Sequence, residues 1–193
     1  MKKIGWSILI TLLTIVSLSA QEKHKESVFP KHIVKFHPLD ALVGGIAVGY
    51  ERVIKPKTSI DIELSQQFNN IRFDDDMSEL NYHLFLETDI RRYLSKRKNA
   101  PEGFFIGAGV FTTYNNFNTL KNEDNDEIDN DVEALWVGAG IKTGYQWVFK
   151  KALKGFTAEA NASIDYRRRL EVFDRSSENG VGILFRLTIG YSW

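Results

Sequence analysis

The chain has 193 residues, no cysteine, and 25 basic residues balanced by 25 acidic ones. A formal charge of zero gives no electrostatic reason to expect a nucleic-acid partner. The absence of cysteine rules out disulfides and a lipid anchor on a cysteine as sources of stability or attachment.

The first segment reads as an export signal rather than as part of the fold. Lys2 and Lys3 precede an apolar stretch from Ile4 to Val16, and Ser17-Leu18-Ser19-Ala20 offers small residues for cleavage before Gln21. Residues 1–20 are therefore expected to be a cleaved signal peptide, and losing its two lysines takes the formal charge to −2. Residues 21–30 (QEKHKESVFP) are polar and read as a flexible periplasmic leader. Beyond the signal, the longest uncharged apolar run is Leu42 to Tyr50, with three glycines in it. A helix needs about 20 apolar residues to span a bilayer, so none is expected.

Residues 31–193 instead alternate with a period of two, the mark of strands with two unlike faces. The first strand is His32 to His37, with Val34 and Phe36 on its apolar face, ended by Pro38, which has no N–H for a ladder. The second, Val43 to Val53, sets Ile46, Val48 and Tyr50 against Gly45, Ala47, Gly49 and Glu51. Lys55-Pro56-Lys57 is a tight turn. In the third, Ser59 to Asn69, Ile60, Ile62, Leu64 and Phe68 oppose Asp61, Glu63, Ser65 and Gln67. The fourth, Leu80 to Leu94, sets Tyr82, Leu84, Leu86 and Ile90 against His83, Glu87, Asp89 and Arg91. A basic turn (Ser95 to Glu102) leads to the fifth, Gly103 to Asn115, where Phe104, Ile106, Ala108, Val110 and Tyr114 oppose Gly107 and Gly109.

An acidic loop from Asn116 to Asp131 precedes the sixth strand, Val132 to Phe149. The seventh, Gly155 to Arg167, sets Phe156, Ala158, Ala160, Ala162, Ile164 and Tyr166 against Glu159, Asn161, Ser163, Asp165 and Arg167. The eighth, Gly180 to Trp193, alternates most cleanly: Val181, Ile183, Phe185, Leu187, Ile189, Tyr191 and Trp193 share one face, with Arg186 among the small and polar residues of the other. Connections after strands two, four and six are short, and those after three, five and seven are long and charged; the link after strand one is a short exception. Short periplasmic turns and long outer loops, on an even number of strands, are the pattern of an up-and-down transmembrane barrel.

Three features place the apolar face outside. Glycine is concentrated on the polar face (Gly107, Gly109, Gly138, Gly140, Gly144, Gly182, Gly190), where a narrow lumen needs small residues. Aromatics collect near strand ends: Tyr50, Phe104, Trp147, Phe149, Phe156, Tyr191 and Trp193 at the periplasmic rim, Phe68, Tyr82, Tyr114 and Tyr166 at the outer rim. The polar face also carries both signs of charge, Glu51, Asp61, Glu63, Glu87, Asp89, Glu159 and Asp165 against Arg91, Lys142, Arg167 and Arg186. Enclosed charges must pair, so an ion-pair network filling the lumen is expected. Arg186 should find Asp61, Glu63 or Glu159. Phe85, Phe105, Phe111 and Trp136 break the rule by falling on the inner face, and Arg52 and Arg92 by falling on the outer face near the rim. The expected fold is an all-β, eight-stranded antiparallel barrel in the cell outer membrane, with strand eight closing on strand one.

These strands, ending in Tyr191-Ser192-Trp193, resemble the small Gram-negative outer-membrane barrels of the OmpA-barrel and OmpX-like group. The resemblance implies recognition of the last strand by the barrel-assembly machinery. His37-Pro38-Leu39, Gly49-Tyr50-Glu51-Arg52 and Ser59-Ile60 also resemble an uncharacterised outer-membrane barrel family that opens with Asn-Pro-Leu and Tyr-Glu-Arg elements, with His37 in place of the Asn. That resemblance brings no catalytic residues.

No motif names a reaction, and no catalytic, cofactor or metal residue is assigned. The leading expectation is a non-catalytic barrel with an envelope-structural or surface-interaction role through its outer loops, in contact with outer-membrane lipid and lipopolysaccharide. The alternatives are a narrow channel for small or apolar solutes, and a lipid A-modifying hydrolase. The hydrolase would use Ser65 and His83 on neighbouring strands with Glu63 or Glu87, since such chemistry needs a nucleophile, a base and an orienting acid. Residues 122–131 (NEDNDEIDND) offer oxygen ligands for Ca²⁺ without the glycine and glutamate spacing of an EF-hand; a solvated acidic loop is the default. Arg167-Arg168-Arg169 and Arg175 are positioned for lipopolysaccharide phosphates, or for Glu171, Asp174 and the acidic loops, the pairing that proximity favours. His24, His32 and His37 are too scattered for a metal site.

Overall fold

The computed structural model describes residues 30–42, 44–67, 79–118, 131–151, 153–170 and 179–193. The expected signal peptide, residues 21–29, the acidic loop up to residue 130, and Arg175 with Glu171 and Asp174 lie outside the described residues.

Eight strands form one closed barrel: β1 (His32–Phe36), β2 (Gly45–Lys55), β3 (Thr58–Gln67), β4 (Glu79–Tyr93), β5 (Gly103–Asn118), β6 (Asp131–Val148), β7 (Phe156–Arg169) and β8 (Asn179–Ser192). Each pairs antiparallel with the next, and β8 returns to β1 through Ile33↔Ser192, Val34↔Tyr191, Lys35↔Gly190 and Phe36↔Ile189. Closure leaves no sheet edge, which is what lets strands stand in hydrocarbon without unpaired backbone groups.

The link between β1 and β2 differs from the plain short connection expected. Pro38 ends β1 and also starts α1 (Pro38–Leu42), a single helical turn. Proline is at home there, because the first helical N–H has no partner in any case. The short turns have their own local causes. Gly155, at φ 87°, takes a left-handed conformation that a side chain would oppose, and so lets the chain enter β7 beneath Tyr191. Gly103, at φ 114°, does the same before β5.

The faces are inverted relative to a soluble barrel. Among the described residues, seventeen polar or charged side chains are buried, against eight apolar or aromatic ones, Pro101 included. Outside stand Phe185 (75% exposed), Val181 (72%), Ile183 and Val110. An outer surface of this kind matches an apolar medium rather than water. The dimensions agree: Phe156 and Tyr166 bound the apolar face of β7 ten positions apart. At about 3.3 Å per residue and a tilt near 40°, that is a band of about 25 Å.

Candidate functional site

The lumen of the barrel holds the densest chemistry. Period-two alternation sends Lys35, Glu51, Asp61, Glu63, Asp89, Arg91, Lys142 and Glu159 inward, and all of them are buried. Arg91 stands at the centre. Its Nε donates to Asp89 Oδ1 at 2.8 Å, Nη1 to Glu159 Oε2 at 2.8 Å and Nη2 to Asp61 Oδ2 at 2.5 Å. Glu63 lies 3.4 Å away and Glu51 3.7 Å. Lys35 reaches Glu51 and Glu159 at 2.8 Å and Asp61 at 3.1 Å, tying β1 to β2, β3 and β7. Lys142 bridges Glu87 at 3.0 Å, Asp89 at 3.1 Å and Glu63 at 3.6 Å. Higher up, Arg186 meets Glu63 at 2.5 Å and Glu87 at 2.8 Å.

Among the described residues this network joins six carboxylates to four cations. Neutral donors serve the surplus. Ser59 and Tyr93 hydroxyls donate to Glu51 Oε1 at 2.5 and 2.7 Å, and Asn161 Nδ2 donates to Glu159 Oε1 at 2.7 Å. His37 Nε2 comes within 4.0 Å of Glu63. The inner aromatics that broke the alternation rule supply ring faces for the cations. Arg91 lies 4.7 Å from the Phe105 centroid and Arg186 5.0 Å from that of Phe85. Phe105 is in turn packed on Tyr93, and Phe85 on Phe111. Cation–π contact is strongest where water is excluded, as it is around the fully buried Arg91 and Phe105.

The charge list read from sequence needs two corrections. Arg167 is not enclosed; it stands exposed at the mouth, 5.5 Å above the Trp136 ring. Lys35 was missing, although its position between Val34 and Phe36 dictates a lumen-facing side chain. The expected Arg186 partners reduce to Glu63, with Glu87 as the second. His37, grouped with the scattered histidines, is buried in the lumen.

Ser65 and His83 do not form a matched pair. Ser65 stands opposite Phe85 and His83 opposite Gln67. His83 Nδ1 is engaged at 2.7 Å with Asn115 Oδ1. Glu63 and Glu87, the candidate orienting acids, are both held by Lys142 and Arg186. His32 lies at the turn end instead, 2.6 Å from the Tyr50 hydroxyl and stacked on Trp193 at 5.7 Å.

Outside, a concave patch of about 530 Å³ is lined by the outward Leu86, Val110, Val137 and Tyr166, with Arg168 among its lining residues. At the opposite end, the short turns are stapled together. Lys57 Nζ donates to the Ser95 carbonyl at 2.7 Å and to that of Lys98. Glu102 meets Lys98 at 2.8 Å and Lys150 at 2.6 Å. Partial burial works to raise the Glu102 carboxyl, but hydrogen bonds from Lys150 and Lys98 outweigh it and hold the group below its ordinary value. The bonds of Lys98 to Glu102 and to the Tyr145 hydroxyl raise the ammonium above its own.

The fold has solved counterparts. The N-terminal β-barrel domain of Pseudomonas aeruginosa OprF superposes with a TM-score of 0.51 at 8% identity, over 85% of this chain and 98% of that one. Neisserial surface protein A (NspA) gives 0.43 at 9% identity, over 84% and 95%. No curated protein sequence matches the chain. A family model described as a protein of unknown function (DUF3575) matches residues 7–172.

Proposed function

The chain belongs to the DUF3575 family of proteins of unknown function, and we propose that it is a closed, non-catalytic barrel of the outer membrane. It serves as a rigid mount for its outer loops, in envelope structure or surface interaction. One observation carries the reading: the lumen is filled by the Arg91 and Lys35 ion-pair network and its aromatic partners, which leaves the interior committed to stability. A channel needs polar groups free to exchange partners with a passing solute, and these are tied to one another. Recognition then falls to loops on the scaffold. The barrel-assembly machinery inserts the chain by reading β8. For lipopolysaccharide, the exposed Arg168, two positions beyond Tyr166 on the outward face, offers a guanidinium able to take phosphate bidentately.

The test combines three measurements on the full chain. Membrane fractionation should place it in the outer membrane. A denaturing gel should show faster migration unheated than boiled, and planar bilayers should record no steady conductance. A soluble periplasmic protein, or reproducible unitary currents, would overturn the reading.

A further inference from the structure

The turn end of the barrel is a ring of positive charge with almost no acid to balance it. Lys55 ends β2 and Lys57 follows it in the turn to β3, Lys96, Arg97 and Lys98 lie between β4 and β5, and Lys150, Lys151 and Lys154 between β6 and β7. The same three turns contain one carboxylate, Glu102, already engaged by Lys98 and Lys150. Lys57 is spent on backbone carbonyls. Lys55, Lys96, Arg97, Lys151 and Lys154 remain exposed, with no ion-pair partner among the described residues.

The placement of this charge says what it meets. Arg52 and Arg92 carry it onto the outer wall, where Arg92 follows the lipid-facing Ile90 two positions on and holds Thr58 at 3.2 Å. Exposed apolar side chains are interleaved with the cations: Ile54 beside Lys55, Leu94 before Lys96, Leu153 before Lys154. Trp147 and Phe149 lead into the last of these turns. Apolar stems at the edge of the hydrocarbon with charged heads just beyond it are how basic residues sit at a headgroup layer. An acidic protein partner would call for cations raised on a projecting surface, and these turns are short.

We propose that this rim binds anionic phospholipid headgroups of the leaflet it faces, gathering phosphatidylglycerol-type lipids around the turn end. The proposal rests on the membrane-barrel reading. Phosphate oxygens take the free ammonium and guanidinium donors, while the acyl chains lie along the aromatic girdle.

The full chain, refolded into phosphatidylcholine vesicles, tests this with spin-labelled lipids. The fraction of motionally restricted label gives relative association of phosphatidylglycerol against phosphatidylcholine. A preference of at least threefold for the anionic lipid is expected. It should fall towards unity in 1 M NaCl and in the variant Lys55→Gln, Lys96→Gln, Arg97→Gln, Lys151→Gln, Lys154→Gln, whose targets make none of the stapling contacts. An inserted barrel with no preference, or a variant that keeps it, overturns the proposal alone. Capture of poly-glutamate without lipid selectivity overturns it in favour of an acidic protein. A chain that never gains a heat-sensitive folded form in vesicles overturns the membrane reading as well.

Discussion

Arg91 and Arg92 are neighbours in sequence with the same chemistry, and the barrel puts them on opposite faces. Arg91 is fully buried and makes four charge-assisted hydrogen bonds, at 2.8, 2.8, 2.5 and 3.4 Å, within a set of five carboxylates. Arg91→Met removes the cation and leaves those carboxylates facing one another without water. Losing one partner of a buried ionic cluster costs about 3–5 kcal/mol, and the lost contact with Phe105 adds about 0.5–2 kcal/mol. An expected loss of about 5 kcal/mol corresponds to a shift of roughly several thousandfold in the unfolding equilibrium. Arg92→Met removes one exposed hydrogen bond to Thr58 and should change stability by less than about 1 kcal/mol. The assay is urea unfolding of the refolded barrel in phospholipid vesicles, followed by tryptophan fluorescence. Adding Asp61→Asn and Glu159→Gln to Arg91→Met should recover at least half of the loss, because a neutral interior is tolerated better than unpaired charge. Near-equal effects of the two single substitutions would refute the claim that the lumen network holds the barrel together.

Two further outcomes follow from geometry. Gly109→Ala puts a methyl group 2.5 Å from the Thr88 carbonyl oxygen and 2.6 Å from Asp89 Cβ, so the β4–β5 backbone must part, with a loss of about 1–3 kcal/mol. Gly180→Ala meets only the flexible Arg167 side chain at 3.3 Å and should be neutral in the same unfolding assay. The Glu102 staple should respond to pH at both extremes. Its depressed carboxyl contributes stability above the ordinary value of 4.5, lost as pH falls through the folded value. The raised Lys98 contributes below 10.5, lost as pH rises through its folded value. Both groups are near the surface, so the effect should be about 0.2–1 kcal/mol. Glu102→Gln should flatten the acid limb of an unfolding titration, and an unchanged limb would count against the staple.

Much of the fold was legible because a barrel wall imposes period two, interrupted only locally by register shifts at Val53/Lys55 and Leu80/Tyr82 among the described residues. Each described strand lies within a few residues of its expected span, and β8 meets β1 as its aromatic ending implied. Charge pairing inside was legible for the same reason. Lys35 is a harder case because the apolar pattern of β1 rests on Val34 and Phe36 alone, although the residue between two outward ones must point inward. The partners of Arg186 were only half legible. Glu63 and Glu87 face each other across β3 and β4, and β8 meets them through the lumen rather than along a ladder. Which heights coincide across a lumen depends on strand tilt and stagger, quantities that alternation does not carry. Phe85 and Phe105 looked like errors for a related reason: their value lies in a cation from another part of the wall.

The closing seam has a kinetic meaning. β7 and β8 are joined by thirteen paired positions within one hairpin, whereas β1 and β8 share four, between residues roughly 155 positions apart in the chain. Such a distant pairing must wait for every hairpin between, and so it forms last. Backbone bonds of Trp193 with Lys31 and His32 carry this seam one step beyond its four pairs, yet it stays among the shortest ladders of the barrel, where fraying starts most easily. Lys35 alters that balance from within. Its ammonium grips Glu159 of β7, two strands around the wall from β1, and Glu51 and Asp61 on the other side. The final closure event is thereby fastened by a buried charge that spans the joint, so the slowest contact to form becomes one of the hardest to undo.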